Sequence, residues 1–154
     1  MDDSPLLAFL SGTGPDHAGR RLDEILARDD AWLEHRHDYI QWLFPIPTPS
    51  GPNPLAPVLT PAEAAAARAR PEALANLRRS TDRMRAFYAA TRHWRAPHDH
   101  NHLRITRILH CLRLLPGAEA AAAFHAGILA LLGPGGAPVN RASLDFWRRA
   151  AAGG

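Results

Sequence analysis

Apolar residues recur along most of the chain at spacings of three and four, the pattern that predicts amphipathic helices. The clearest case is a predicted helix over residues 102–115, whose apolar face consists of Ile105, Ile108, Leu109, Leu112 and Leu115. The same pattern predicts helices over residues 22–28, 31–44, 61–69, 71–90, 118–132 and 141–147. Sustained alternation of apolar and polar residues, which would indicate strands, is absent from the sequence. We therefore predict an all-α protein, a single compact bundle of about six helices.

Proline sets the main interruption in this helical pattern. Pro45 ends the predicted helix over residues 31–44, because proline lacks the backbone N–H and clashes with the preceding turn. The segment from Pro45 to Pro57 is rich in proline, which predicts an extended connector. The expected organisation is an N-terminal loop over residues 1–16, a helical domain over 17–150 and a C-terminal tail over 151–154.

One histidine falls on an apolar helical face. His37 shares the predicted stripe with Leu33, Ile40 and Phe44, so we expect its ring to be at least partly buried. A buried histidine can be structural, with its ring nitrogens bonded to backbone groups, or it can bind a ligand or transfer a proton. The sequence leaves these alternatives open.

Composition narrows the class of partner. The formal net charge is +3, all the basic residues are arginine, and acidic residues are interspersed among them. This pattern does not predict a nucleic-acid partner. No apolar run reaches the roughly 18–20 residues of a membrane span, and the acidic N-terminus does not resemble a signal peptide. We expect no membrane span and a cytoplasmic location; the oligomeric state is unknown from the sequence.

The sequence contains few motifs that indicate catalysis or the binding of a metal or cofactor. The only cysteine, Cys111, lies in a helical pattern and is expected to be a small buried apolar residue. His98, His100 and His102 alternate along the chain and would not converge on a metal ion, so we expect no metal site. Catalytic triads, paired carboxylates and phosphate-binding loops are not recognisable, and no cofactor can be named.

A basic stripe marks the start of the helix over residues 102–115. His100, Arg104 and Arg107 are spaced to lie on one helical face. Cations in the first turns face the positive end of the helix dipole, which is unfavourable by about 0.3–1 kcal/mol each. Either an acidic side chain or a bound anion would offset this cost.

Two blocks of the sequence resemble one known family. They are "HDYIQWLFP", residues 37–45, and "HNHLRITRIL", residues 100–109. Both resemble the conserved domain of the opioid growth factor receptor family, and "GRRLDEIL", "MRAFY" and "SLDFW" extend the likeness over most of the chain. The family is named after animal receptors that bind an enkephalin peptide. The resemblance implies a bacterial stand-alone member and carries over no catalytic residue.

The two blocks hold the polar and aromatic residues that packing alone does not explain. We predict a small ligand-binding module whose pocket lies between the blocks, with the proline segment as one wall, and whose ligand is a small anionic molecule or a peptide. The predicted ligand-binding residues are His37, Tyr39, Trp42, His100, Asn101, Arg104 and Arg107. An alternative is an enzyme that uses His37 or His100 with Arg104 and Arg107, although no reaction is indicated. Another is a protein-interaction domain without a small-molecule ligand.

Overall fold

The computed structural model describes residues 3–153, and the regular secondary structure in this range is entirely helical. Its nine α-helices are α1 Pro5–Leu10, α2 Leu22–Leu26, α3 Asp30–His35, α4 Ile40–Leu43, α5 Pro61–Arg68, α6 Pro71–Ala90, α7 Asn101–Leu114, α8 Ala118–Leu129 and α9 Arg141–Ala152. A single 3-10 turn covers Pro134–Gly136. The predicted all-α class is confirmed. Among the described residues, no helix has the length and apolar character that crossing a membrane would require.

Helix α1 lies inside the segment that was predicted to be a loop, so that prediction is wrong for Pro5–Leu10. The Ser4 side chain caps the helix by accepting a hydrogen bond from the Leu7 N–H, and Pro5 occupies the first turn, where its missing N–H costs nothing. Six residues are too few for a helical period to be recognised. Met1 and Asp2 lie outside the described residues.

The last helix is longer than predicted. Helix α9 continues beyond Trp147 to Ala152 and ends at Gly153, whose left-handed φ of 77° suits a residue without a side chain. Residues 151–152 are therefore helical rather than tail, and Gly154 lies outside the described residues. The extent of the domain, residues 17–150, stays a prediction.

The predicted helix over residues 31–44 is instead two helices, α3 and α4, with a break between them. In this break, side chains donate hydrogen bonds to backbone carbonyl groups that would accept backbone N–H groups in a continuous helix. The Tyr39 hydroxyl donates to the Leu33 carbonyl at 2.7 Å, and the Gln41 amide donates to the His37 carbonyl at 3.0 Å. Because these bonds compete with the helical ladder, they hold the break open.

Internal contacts divide the chain into two units, up to Ser80 and from Thr81 onward, with the boundary inside α6. In the first unit, α1 packs against α4 and α5. The Phe9 ring of α1 meets the Trp42 ring of α4 edge-on, with centroids 5.4 Å apart. Ser4 also donates to Glu63 of α5 at 2.6 Å. This packing fixes α4, which carries the first signature block.

In the second unit, α7 packs against α8 and α9. The Trp147 indole of α9 is fully buried and donates to the His102 carbonyl in the first turn of α7 at 3.0 Å. The His102 ring in turn lies 2.8 Å from the Trp94 carbonyl. These contacts position the start of α7, where the second signature block begins.

Candidate functional site

His37 lies in the break between α3 and α4, and its side chain is exposed. The expectation of a partly buried ring on a helical stripe is therefore wrong, because the helix ends at His35 before it reaches this residue. The backbone of His37 is nevertheless well held. Its carbonyl accepts hydrogen bonds from the side-chain amides of Gln41, at 3.0 Å, and Asn53, at 2.9 Å.

Tyr39 and Trp42, the other predicted residues of the first block, are buried. The Tyr39 hydroxyl is used in the bond to the Leu33 carbonyl, so this residue stabilises the break rather than facing solvent. The Trp42 indole N–H is buried and donates no hydrogen bond within the described part of the chain. Both side chains are therefore part of the core, and more exposed polar residues lie beside them.

A recess of about 270 Å³ lies beside this block. The helix break and the proline-rich connector supply most of its walls, which consist of His17, Asp38, Gln41, Asn53, Pro54, Leu55 and Ala56. The connector therefore forms one wall of a recess at the first signature block. Four of the lining side chains are polar, which is the kind of lining that orients a small ligand.

Asp38 is the charged centre of the recess. Its carboxylate lies 3.0 Å from an Arg20 guanidinium nitrogen and 3.3 Å from the His17 Nε2 atom. The same guanidinium contacts Asp16, whose side chain is fully buried, at 2.8 Å. Arg20 thus bridges two carboxylates, and the bridge fixes the position of Asp38 in the wall.

Electrostatic interactions favour the charged forms of Asp38 and Arg20. Burial would raise the pKa of the Asp38 carboxyl, but hydrogen bonding and charge from Arg20, assisted by Arg36 and His17, lower it below its ordinary value. Burial would likewise lower the pKa of Arg20, but hydrogen bonds to Asp16 and Asp38 raise it. Asp38 therefore presents an ionised carboxylate at neutral pH.

His17 and Asn53 complete the polar lining. The His17 ring lies nearly parallel to the Trp42 indole, with centroids 6.0 Å apart and planes at 17°. The Asn53 Nδ2 atom donates to the His37 carbonyl, which leaves the amide oxygen of Asn53 without a hydrogen bond among residues 3–153. The recess therefore offers an oriented imidazole, a carboxylate and an amide oxygen.

The second signature block begins at the N-terminus of α7. His100 occupies the cap position and is exposed, whereas Asn101 is fully buried. The Asp99 carboxylate accepts hydrogen bonds from the backbone and side-chain nitrogens of Asn101, both at 2.9 Å. The Asn101 amide oxygen accepts from the Tyr88 hydroxyl at 3.2 Å. Asn101 is thus a structural link between α6 and α7.

The two arginines of this block differ in environment. Arg104 is buried and donates to the Asn101 amide oxygen at 3.4 Å. Arg107 is partly buried, and burial lowers its pKa to about 10, with the Cys111 thiol acting in the opposite direction. Its net environment is therefore unfavourable to the charged form. Burial also raises the pKa of Cys111, which agrees with the expected buried apolar cysteine.

The alternating histidines of the preceding loop do not form a cluster. His102 is buried against Trp94 and Trp147, while His98 and His100 are exposed. Within residues 3–153, no three histidine, cysteine or acidic side chains approach closely enough to hold a metal ion.

Sequence reasoning missed the residues that make up most of the recess. Asp38 and Gln41 stand inside the first signature block, but both look like surface residues of a helix. His17 and Arg20 lie in a segment without helical periodicity, and Asn53 lies in the proline connector. A polar residue within a segment rich in proline was the one usable signal, since such segments fix the directions of their side chains.

The helices and these two polar clusters define a small all-α protein whose two signature blocks each combine buried anchors with more accessible polar residues. The chain belongs to the opioid growth factor receptor family, because the opioid growth factor receptor (OGFr) conserved region matches residues 19–96, half of the chain. The predicted family is confirmed over these residues, whereas the second block, residues 100–109, lies outside the match. No curated protein and no solved structure matches the chain.

Proposed function

We propose that the chain is a small ligand-binding domain and that the recess beside the first signature block is its binding site. The observation that carries this proposal is the convergence of four polar side chains, from His17, Asp38, Gln41 and Asn53, on one recess. Binding sites of this kind use a few oriented polar groups for specificity. The proline-rich connector supplies one wall of this recess.

The lining supports a ligand that donates hydrogen bonds. Asp38 is ionised, and the Asn53 amide oxygen accepts no hydrogen bond from residues 3–153. A ligand N–H or O–H group would satisfy these acceptors, and a charged acceptor strengthens such a bond. We therefore propose a small molecule or short peptide with N–H donors as the occupant.

Ligand-observed NMR with a panel of amides, amines and dipeptides tests this proposal. Members of the panel should bind the wild-type chain. Asp38→Asn should weaken that binding about tenfold, the loss expected for one charged hydrogen bond, and Asn53→Ala should weaken it about fivefold, the loss expected for a neutral one. Asp23→Asn is the matched control, because the Asp23 side chain is 77% exposed and does not line the recess. If no donor-bearing compound binds, or if all three variants bind alike, the recess is not the site.

An anionic ligand is a separate proposal, and it rests on the second block. The lowered pKa of Arg107 means that its charged form is held at a cost, and a bound anion would offset that cost. The predicted anion-binding residues His100, Arg104 and Arg107 remain candidates on this basis. Thermal-shift measurements with inorganic phosphate and with succinate test for this anion binding. Either anion should raise the Tm of the wild-type chain more than that of Arg107→Gln. Equal shifts for the two proteins would exclude Arg107 from any anion site.

A further inference from the structure

One cavity in the part of the chain that the structure describes lies apart from both signature blocks in sequence. It has a volume of about 610 Å³ and lies in the second unit, where α8, the glycine-rich turn over residues 133–139 and α9 meet. This volume is in the range of about 300–1,000 Å³ that small-molecule sites occupy. Nothing in the family match, which ends at residue 96, bears on this groove.

Helix α9 supplies one wall of the groove with a single face. Arg141, Leu144, Asp145 and Arg148 all line it and follow one another at spacings of three, one and three residues, which places them on the same side of the helix. Helix α8 supplies the opposite wall with His125 and Leu129. Apolar and charged side chains therefore lie next to one another in the walls of the groove.

The charges in the groove are unbalanced towards positive. Arg148 and Asp145 form an exposed ion pair at 3.4 Å and neutralise one another. Arg141 forms no ion pair with residues 3–153, and the His125 ring forms no hydrogen bond there. One guanidinium group and one imidazole therefore remain available to a ligand. Arginine presents N–H groups in a planar fork that fits a carboxylate or phosphate group.

The groove is preformed by its turn. Gly133 N–H donates to the Ala137 carbonyl at 2.8 Å, and the N–H of Val139 donates to the Gly136 carbonyl at 3.1 Å. Gly136 is buried with a positive φ of 86°, and a Cβ atom there would meet Leu144 at 2.6 Å. The positive φ of Gly136 favours glycine at this position, and the turn holds the end of the groove in place.

We propose that this groove binds a small amphipathic anion, in which a carboxylate or phosphate group contacts Arg141 and His125 and an apolar body covers Leu129 and Leu144. The apolar surface of Leu129 and Leu144 matches the apolar body of the ligand, and the excess positive charge of the groove matches the negative charge of the ligand. Burial lowers the pKa of His125, so its neutral ring keeps one N–H that can donate to the anion near neutral pH.

Two probes of the same shape and opposite charge test the proposal, namely 4-phenylbutyrate and 4-phenylbutylamine. Titration of isotopically labelled protein, followed by NMR, should show 4-phenylbutyrate binding with shifts at the His125 ring and at the backbone amides of residues 133–148. Arg141→Gln should weaken this binding about tenfold or more, the effect of losing a charged hydrogen bond. Arg78→Gln, on the exposed side of α6, is the matched control and should bind as the wild type does.

The amine separates charge recognition from simple filling of the groove. It should bind at least about tenfold more weakly than the acid, as the loss of a charged hydrogen bond requires. Phenyl phosphate, added as a third probe, distinguishes a preference for phosphate from a preference for carboxylate. Absence of binding by both anions at millimolar concentration, equal affinity for acid and amine, or unchanged affinity in Arg141→Gln would each overturn the proposal. Because Arg141 is an exposed residue at the start of α9, its replacement leaves the fold intact.

Discussion

Replacing Arg20 by methionine removes the cation that bridges Asp16 and Asp38 while keeping an apolar stem of similar length. The Asp16 side chain is fully buried, and its carboxylate would keep only the backbone N–H donors of Ala18 and Arg20. Breaking a buried ion pair by removing one partner costs about 3–5 kcal/mol. The contact to Asp38 adds little, because that side chain is 32% exposed and screened by water.

We therefore expect Arg20→Met to lower the free energy of unfolding by about 3 kcal/mol, the lower end of that range. For a chain of this length the loss corresponds to a fall in Tm of about 6–12 °C. Urea and thermal unfolding followed by circular dichroism measure it. Arg79→Met removes an exposed ion pair with Asp23 at 2.8 Å and should cost under about 1 kcal/mol. A loss from Arg20→Met as small as that of the control would refute the reasoning.

The same pair of proteins has a predictable pH dependence. The pKa of Asp38 is lower in the folded chain than in the unfolded one. Its contribution to stability is therefore complete above its ordinary pKa of about 3.9 and is lost as the pH falls through the folded-state value. The difference in stability between wild type and Arg20→Met should therefore narrow slightly below about pH 4, by the small share that the Asp38 contact contributes. A difference that widens on acidification would contradict the sign of this shift.

Two substitutions and one chemical reaction test other parts of the structure. Tyr39→Phe leaves the Leu33 carbonyl without its hydroxyl donor and should lower the unfolding free energy by about 1–2 kcal/mol in urea titrations, so a loss under about 0.5 kcal/mol would contradict that bond. Asn140→Ala removes the side-chain cap of α9 on the Ser143 N–H and should cost about 1 kcal/mol in the same assay, whereas no loss would exclude the cap. The Cys111 thiol is buried with a raised pKa, so it should react with a thiol reagent at pH 8 only in denaturant; rapid reaction of the native chain would contradict its burial.

The helices that were predicted well are those whose signals are local. Thr60 and Glu63 form a capping box with bonds of 3.1 and 3.0 Å, and α5 begins at Pro61, where the helix over residues 61–69 was predicted to begin. Helices α6 and α7 also lie within one residue of their predicted bounds, because each has a long apolar face that no other regular structure would satisfy.

The elements that were predicted wrongly depend on contacts that are distant along the chain. The break between α3 and α4 follows from bonds made by Tyr39, Gln41 and Asn53, and the last of these lies in a connector far from the helix. Helical periodicity continues through the break, so the sequence pattern of residues 31–44 contains no sign of it. Long-range side-chain bonds override local periodicity here, and this also explains why His37 is exposed.

In the candidate sites, some residues of the family signature stabilise the fold and others are accessible to a ligand. Tyr39, Trp42 and Asn101, which make the signature recognisable, are buried anchors whose polar atoms lie in the interior. The accessible polar groups stand beside them, as Asp38 does next to Tyr39. An anchor must be one particular residue because its shape and hydrogen bonds fit one environment, whereas a neighbouring lining residue can vary with the ligand. The chemistry of this protein is therefore expected in the residues adjacent to these anchors, so substitutions at Asp38 should change ligand binding and substitutions at Tyr39 should chiefly change stability.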